Sequence, residues 1–319
     1  MSETSIGGKK HPDFFIAGAM KSGTTALDTY LSEHPRIHMA RPKDGNFFGE
    51  DFEPVRVVKD WDEYRAMFRH TKCDDISLTG EATAMYLHSK TAPVNIYHYN
   101  PRARLVVLLR NPVDLVHSFH NQLLYNGDED VSEFERAWEL QTRRARGEAL
   151  PRRCRQPRQL QYYAIGALGA HMERWRHYFP WEQFKVVLFE DLVQQPHQVY
   201  TEILRFIGVE TDHRVEFKPA NESKQHRLRL VGHFSEQPPP WLQTVVKKAK
   251  QVTGRERFGV LDLVRALNRK PYIRPALRPA FRQYLTDVFE EDIQRLSVMV
   301  GKDLSHWTKP SEMHSPEEK

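Results

Sequence analysis

Short apolar runs alternate with amphipathic stretches along most of the chain. DFFIAGA (13–19) is almost continuously apolar and ends in small residues, the pattern of a strand buried on both faces of a parallel sheet. ALDTYLSEHP (26–35) repeats apolar positions at helical spacing, with Ala26, Leu27, Tyr30 and Leu31 on one side, until Pro35 stops it. RLVVLLRNP (104–112) reads as a second buried strand, and VDLVHSFHNQLLYNG (113–127) as the helix after it. The spacing then predicts a helix over 159–180, a strand over 184–192, a helix over 196–209 and a last helix over 278–301. Buried strands alternating with helices predict an α/β fold with a central, mainly parallel β-sheet flanked by helices. The stretches 128–158 and 232–276 carry Pro, Arg and Gly without strong periodicity. They read as lids or substrate-binding insertions on a single domain over 13–307, with 1–12 and 308–319 as flexible tails.

Composition narrows the class. Among 319 residues, 39% are hydrophobic and 28% charged, which excludes a disordered polyelectrolyte and a low-complexity chain. The longest apolar stretches, 14–20 and 105–109, fall well short of the roughly 20 residues of a membrane span. The polar start, MSETSIGGKKHPD, lacks the apolar core of a secretory leader. Two cysteines, Cys73 and Cys154, without CxxC spacing, fit neither a disulfide scaffold nor a cysteine zinc site. The expectation is a globular protein of the cytoplasm. The formal net charge is +5, and arginine is clustered: seven lie in 143–158 and more in 269–282. Such clustering points to an anion.

The candidate chemistry begins at GAMKSGTTAL (18–27). A strand that feeds a tight loop and then a helix aims several backbone N–H groups, and the positive end of the helix dipole, at one spot. Lys21 adds a cation, Ser22, Thr24 and Thr25 add hydroxyls, and Gly23 permits close backbone approach to a phosphate. The order differs from the nucleoside-triphosphate loop GxxxxGK[ST], because Lys21 precedes Gly23. The strand at 104–110 ends in Arg110, where an NTPase would offer an acidic metal ligand.

Two segments carry a resemblance. FIAGAMKSGTTALDTYLSEHP is similar to the 5′-phosphosulfate loop of the sulfotransferases that use 3′-phosphoadenosine-5′-phosphosulfate (PAPS). LVVLLRNPVDLVHSFHNQL is similar to their 3′-phosphate segment, a strand, Arg, Asn-Pro and a helix bearing a Ser. The likeness runs from about residue 13 to the closing GKDLSHW, and is greatest to the bacterial and heparan-sulfate types. It implies a P-loop-like three-layer α/β fold and PAPS as the sulfuryl donor, with no metal required.

The same resemblance implies residue roles. Lys21, Ser22, Gly23, Thr24 and Thr25 would hold the 5′-phosphosulfate, with Lys21 beside the bridging oxygen where charge grows as the S–O bond breaks. Arg110 and Ser118 would hold the 3′-phosphate. In KDGNFF (43–48), Asp44 occupies the place of a family glutamate that serves as general base, and Asn46 replaces a histidine. Glu81, in TGEATAMYL, and His120 are the alternative bases or acceptor contacts; Ala82 stands where some relatives have lysine. Asn221, Lys224 and Arg227, in KPANESKQHRLR, resemble a loop that closes over the nucleotide. Trp175, Trp241 and Trp307 read as packing residues.

The expected reaction is in-line transfer of a sulfuryl group to a hydroxyl, or less favourably an amine, of a small-molecule, lipid or carbohydrate acceptor, releasing adenosine 3′,5′-bisphosphate. Two other classes stay open on the residues alone. A P-loop small-molecule kinase would bind ATP with Mg²⁺, against the lysine order and the missing acid. A basic nucleic-acid-binding protein would use the arginine clusters, but no helix-turn-helix, RNA-binding aromatic motif or zinc spacing accompanies them.

Overall fold

Five strands form one sheet in the order β2-β3-β1-β4-β5, with every neighbouring pair parallel. They are β1 (Phe14–Gly18), β2 (Ile37–Met39), β3 (Leu78–Ala82), β4 (Arg104–Leu109) and β5 (Phe184–Leu188). The computed structural model describes residues 12–69, 76–217, 224–226, 269–271 and 275–309. Packing divides the chain into two units, the first comprising 1–116, 162–220 and 277–319, the second 117–161 and 221–276. The sheet belongs to the first.

Every residue of β1 is buried, as an all-parallel central strand requires. One face is built from Phe14, Ile16, Val106, Leu108 and Val187, packed against Leu27, Tyr30 and Leu31 of α1 (Thr24–Ser32). The same cluster takes Val199, Tyr200, Ile203, Leu204 and Ile207 of α10 (Pro196–Ile207). Each such side chain contributes about 1.5–3 kcal/mol on burial, against about 0–1 for an exposed ion pair. Burial of these faces therefore decides the fold. On the opposite face Phe15 meets Phe48 and Tyr86 edge-on, with ring centres 6.0 and 6.4 Å apart.

The remaining helices of the first unit are α2 (Trp61–Ala66), α3 (Ala92–Tyr99), α7 (Tyr162–Gly166), α8 (Leu168–Arg176), α9 (Phe189–Gln194) and α11 (Pro279–Val300), together with the start of α4 (Pro112–Asn126). Where the spacing predicts one helix over 159–180, the chain forms a 3-10 turn at Pro157–Leu160 and then α7 and α8, broken at Ala167. The break has a cause in α11. Asp292 accepts the N–H groups of Gly169 and Ala170 at 2.7 and 2.9 Å and so stabilises a new helix start. A Cβ on Gly169 would lie 2.6 Å from the Asp292 carbonyl oxygen. The strand predicted over 184–192 ends at Leu188, and α9 takes the rest, with Glu190 and Asp191 in its first turn where the helix dipole favours them. Trp175 and Trp307 are core residues, as expected; Trp241 lies outside the described residues.

The second unit contains the later turns of α4, then α5 (Phe134–Glu139) and α6 (Gln141–Ala145), and an antiparallel pair, β6 (Lys224–His226) with β7 (Arg269–Pro271). Its interior holds an ion pair. Arg144 donates to both oxygens of Glu129 at 2.6 and 2.8 Å, and both side chains are fully buried. Arg155 grips Asp128 in the same two-pronged way. The arginine-rich stretch, which reads as a solvated face or lid, is thus partly internal structure. Among the described residues no helix is long and apolar enough to cross a membrane.

Candidate functional site

Parallel pairing places the C-terminal ends of β1 to β5 along one edge of the sheet. Chain order reverses direction around β1, which has β3 on one side and β4 on the other, and such a switch point opens a crevice at that edge. The loops carrying Lys21, Asp44 and Arg110 leave from this edge, after β1, β2 and β4. Glu81 lies on β3 itself, next to the strand's last residue.

The phosphate-type loop spans β1 and α1. Gly23 is the N-cap of α1 with φ 90°, and no side chain caps the helix there. The first N–H groups of α1 therefore keep the anion-binding capacity of an uncapped helix start. A Cβ on Gly23 would lie 2.8 Å from Leu192 and 3.3 Å from Phe189, so glycine is required by space as well as by φ. Lys21 is half-buried and also holds a positive φ, 61°. Ser22 is buried and its hydroxyl donates to the Met20 carbonyl, while Thr24 is buried and Thr25 half-buried. Behind the loop, Met20 N–H donates to Nε2 of His88 at 3.4 Å. Burial holds the His88 imidazole well below its usual pKa, so it stays a neutral acceptor.

Arg110 follows β4. Its Nη1 donates to the Lys21 carbonyl at 2.9 Å, and its guanidinium lies over the Phe189 ring at 4.4 Å. The structure thus brings Lys21, Gly23, Arg110 and Phe189 together. Phe189 has no signal in the sequence, because its segment reads as strand. Asn111 fixes the turn that follows: its Oδ1 accepts from Val113 N–H and its Nδ2 donates to the Trp307 carbonyl. Ser118 is half-buried on α4. Lys224 begins β6, and Asn221 and Arg227 lie outside the described residues.

Asp44 sits in the loop after β2 at φ 58°. Its N–H donates to the Ala82 carbonyl at 2.9 Å, and its Oδ1 accepts from Ala84 N–H at 3.0 Å. Lys43 Nζ pairs with Oδ2 at 2.6 Å, and the side chain of Asp44 is 53% exposed. The other two candidate bases are closed in. Glu81 is buried, and accepts hydrogen bonds from Tyr64 at 2.8 Å, Thr83 at 3.0 Å and Tyr86 at 2.6 Å. Burial raises its carboxyl to about 7 despite those three donors. His120 is buried, with Nε2 2.9 Å from the Val131 carbonyl, and burial lowers its pKa. Of the three candidate bases, Asp44 alone is open to solvent.

The chain has recognisable relatives. It is 28% identical over 209 residues to the bifunctional heparan sulfate N-deacetylase/N-sulfotransferase 3 of Mus musculus, a match covering 62% of this chain and 22% of that protein. It therefore spans about a fifth of the length of that relative. It is 28% identical over 258 residues to heparan sulfate glucosamine 3-O-sulfotransferase 6 of Homo sapiens, covering 77% of this chain and 69% of that one. Among solved structures, a sulfotransferase from Alicyclobacillus acidocaldarius superposes with a TM-score of 0.67 at 27% identity, covering 94% of this chain and 99% of that one. Residues 11–235 match the family model described as the sulfotransferase domain, and the chain belongs to that family.

Proposed function

We propose that this chain transfers a sulfuryl group from PAPS to a hydroxyl or amine of an acceptor, with carbohydrates the first class to try because both named mammalian relatives are heparan sulfate enzymes. The observation that carries the reading is the hydrogen bond from Arg110 to the Lys21 main-chain carbonyl, beside the uncapped start of α1. Two cations and a set of helix N–H donors suit a ligand with separated anionic groups.

PAPS supplies the activated sulfuryl group. Lys21 through Thr25 hold its phosphosulfate end, and Arg110 a phosphate. The Lys21 ammonium balances the charge that grows on the leaving phosphate oxygen. Asp44, open to solvent, takes the proton of the acceptor hydroxyl or amine, so the acceptor gains a bond to sulfur as it loses its hydrogen. Adenosine 3′,5′-bisphosphate leaves.

Thermal unfolding with adenosine 3′,5′-bisphosphate, compared with ATP and Mg²⁺, tests the reading. A ligand that binds the folded state, present at about a hundred times its Kd, stabilises by about 2.7 kcal/mol. Stabilisation by the bisphosphate and not by ATP with Mg²⁺ is expected; the reverse would overturn the donor assignment.

A further inference from the structure

The loop that carries Asp44 hangs on the end of β3. Beyond the two bonds of Asp44 itself, Asn46 N–H donates to Thr83 Oγ1 at 3.4 Å and Phe48 N–H donates to the Tyr86 hydroxyl at 3.3 Å. Each of these hydroxyls has one proton and gives it to Oε1 of Glu81. With its proton committed, the hydroxyl oxygen turns lone pairs to the loop and can only accept there. Thr83 is in turn tied to β1, since its N–H donates to the Ile16 carbonyl at 3.1 Å. Glu81 itself is paired with Phe15 in the sheet. One carboxylate thus orients two hydroxyls that register the Asp44 loop on the strand feeding the phosphate-type loop.

We propose that Glu81 is a positioning residue for the transfer reaction: its carboxylate fixes the direction of the Thr83 and Tyr86 hydroxyls, and through them the placement of Asp44. This rests on the sulfotransferase reading for its consequence in turnover, while its structural half stands on the hydrogen bonds alone. Glu81 is the titrating member of the group. The neighbours that face it are Tyr64 of α2, Thr83 and Tyr86 beyond β3, Tyr99 of α3 and Asp44 of the loop. Tyr64 and Tyr86 are raised well above the ordinary phenol value and Tyr99 to about 12, so their protons stay in place near neutrality. The two hydroxyls that carry the loop converge on Oε1, while Oε2 takes the Tyr64 hydroxyl.

The test is Glu81→Leu, with Thr83→Val and Tyr86→Phe made alongside. Leucine offers no acceptor to either hydroxyl, so the expected result is a kcat lower by on the order of ten- to a hundredfold with the KM for PAPS unchanged. Glu81→Gln, whose single amide oxygen can accept from both hydroxyls, should keep kcat within a few-fold of the wild type. A folded Glu81→Leu with wild-type kcat would overturn the proposal. If it does not fold, Thr83→Val and Tyr86→Phe decide: each should lower kcat at constant PAPS KM, and wild-type kcat in both would overturn it. Amide exchange at Asn46 and Phe48 separates this proposal from the function. Faster exchange at both in folded Glu81→Leu is expected even if the wild type turns over no PAPS, which would defeat the function alone; unchanged exchange would defeat the positioning claim.

Discussion

Arg110 donates through Nη1 to the main-chain carbonyl of Lys21 at 2.9 Å while its guanidinium lies over Phe189. The residue expected to hold one phosphate thereby also braces the loop expected to hold the other. Arg110→Ala should weaken adenosine 3′,5′-bisphosphate binding by about tenfold or more, about 1.4 kcal/mol. Arg110→Lys keeps the charge but loses the planar fork and the stacking, and should fall between. Calorimetric titration of the three proteins checks this order.

Gly23→Ala should impair the same binding by a different route. The new Cβ meets Leu192 and Phe189, and φ 90° is unfavourable to alanine. Loss of bisphosphate affinity with a lowered unfolding temperature is expected. An alanine variant with wild-type affinity would show that the loop tolerates the shift.

Asp44→Asn keeps the size of the side chain and removes the proton acceptor. Turnover should fall by at least about a hundredfold, the usual range for general-base catalysis, with bisphosphate affinity unchanged. Steady-state rates and titration on the same preparation separate the two effects.

Glu129→Gln leaves Arg144 buried with a neutral partner. Breaking such a pair costs about 3–5 kcal/mol, whereas Glu139→Gln, in an exposed pair with Arg136, should cost at most about 1. Denaturant unfolding of the two variants measures the contrast.

The strand–loop–helix at 14–32 and the strand at 104–109 were legible because their signals are local: apolar runs, a glycine and a lysine in a short string. Asp44 was legible as a position, but not its φ or its bonds to Ala82 and Ala84, which belong to β3 and the turn beyond it. Glu81 looked like a possible base for want of the hydroxyls of Tyr64 and Tyr86, which only the fold brings to it. The arginine-rich stretch looked solvated because the carboxylates that bury Arg144 and hold Arg155 precede it in the chain. The break at Ala167 depends on Asp292, far along the chain in the last long helix.

The most direct measurement is transfer of labelled sulfur from PAPS to a panel of carbohydrate, lipid and phenolic acceptors by the wild type and by Lys21→Ala. Labelling of at least one acceptor by the wild type is expected, with the rate reduced by about a hundredfold or more in a folded Lys21→Ala. No labelling by the wild type, or equal rates in both proteins, would contradict a sulfuryl transfer centred on Lys21.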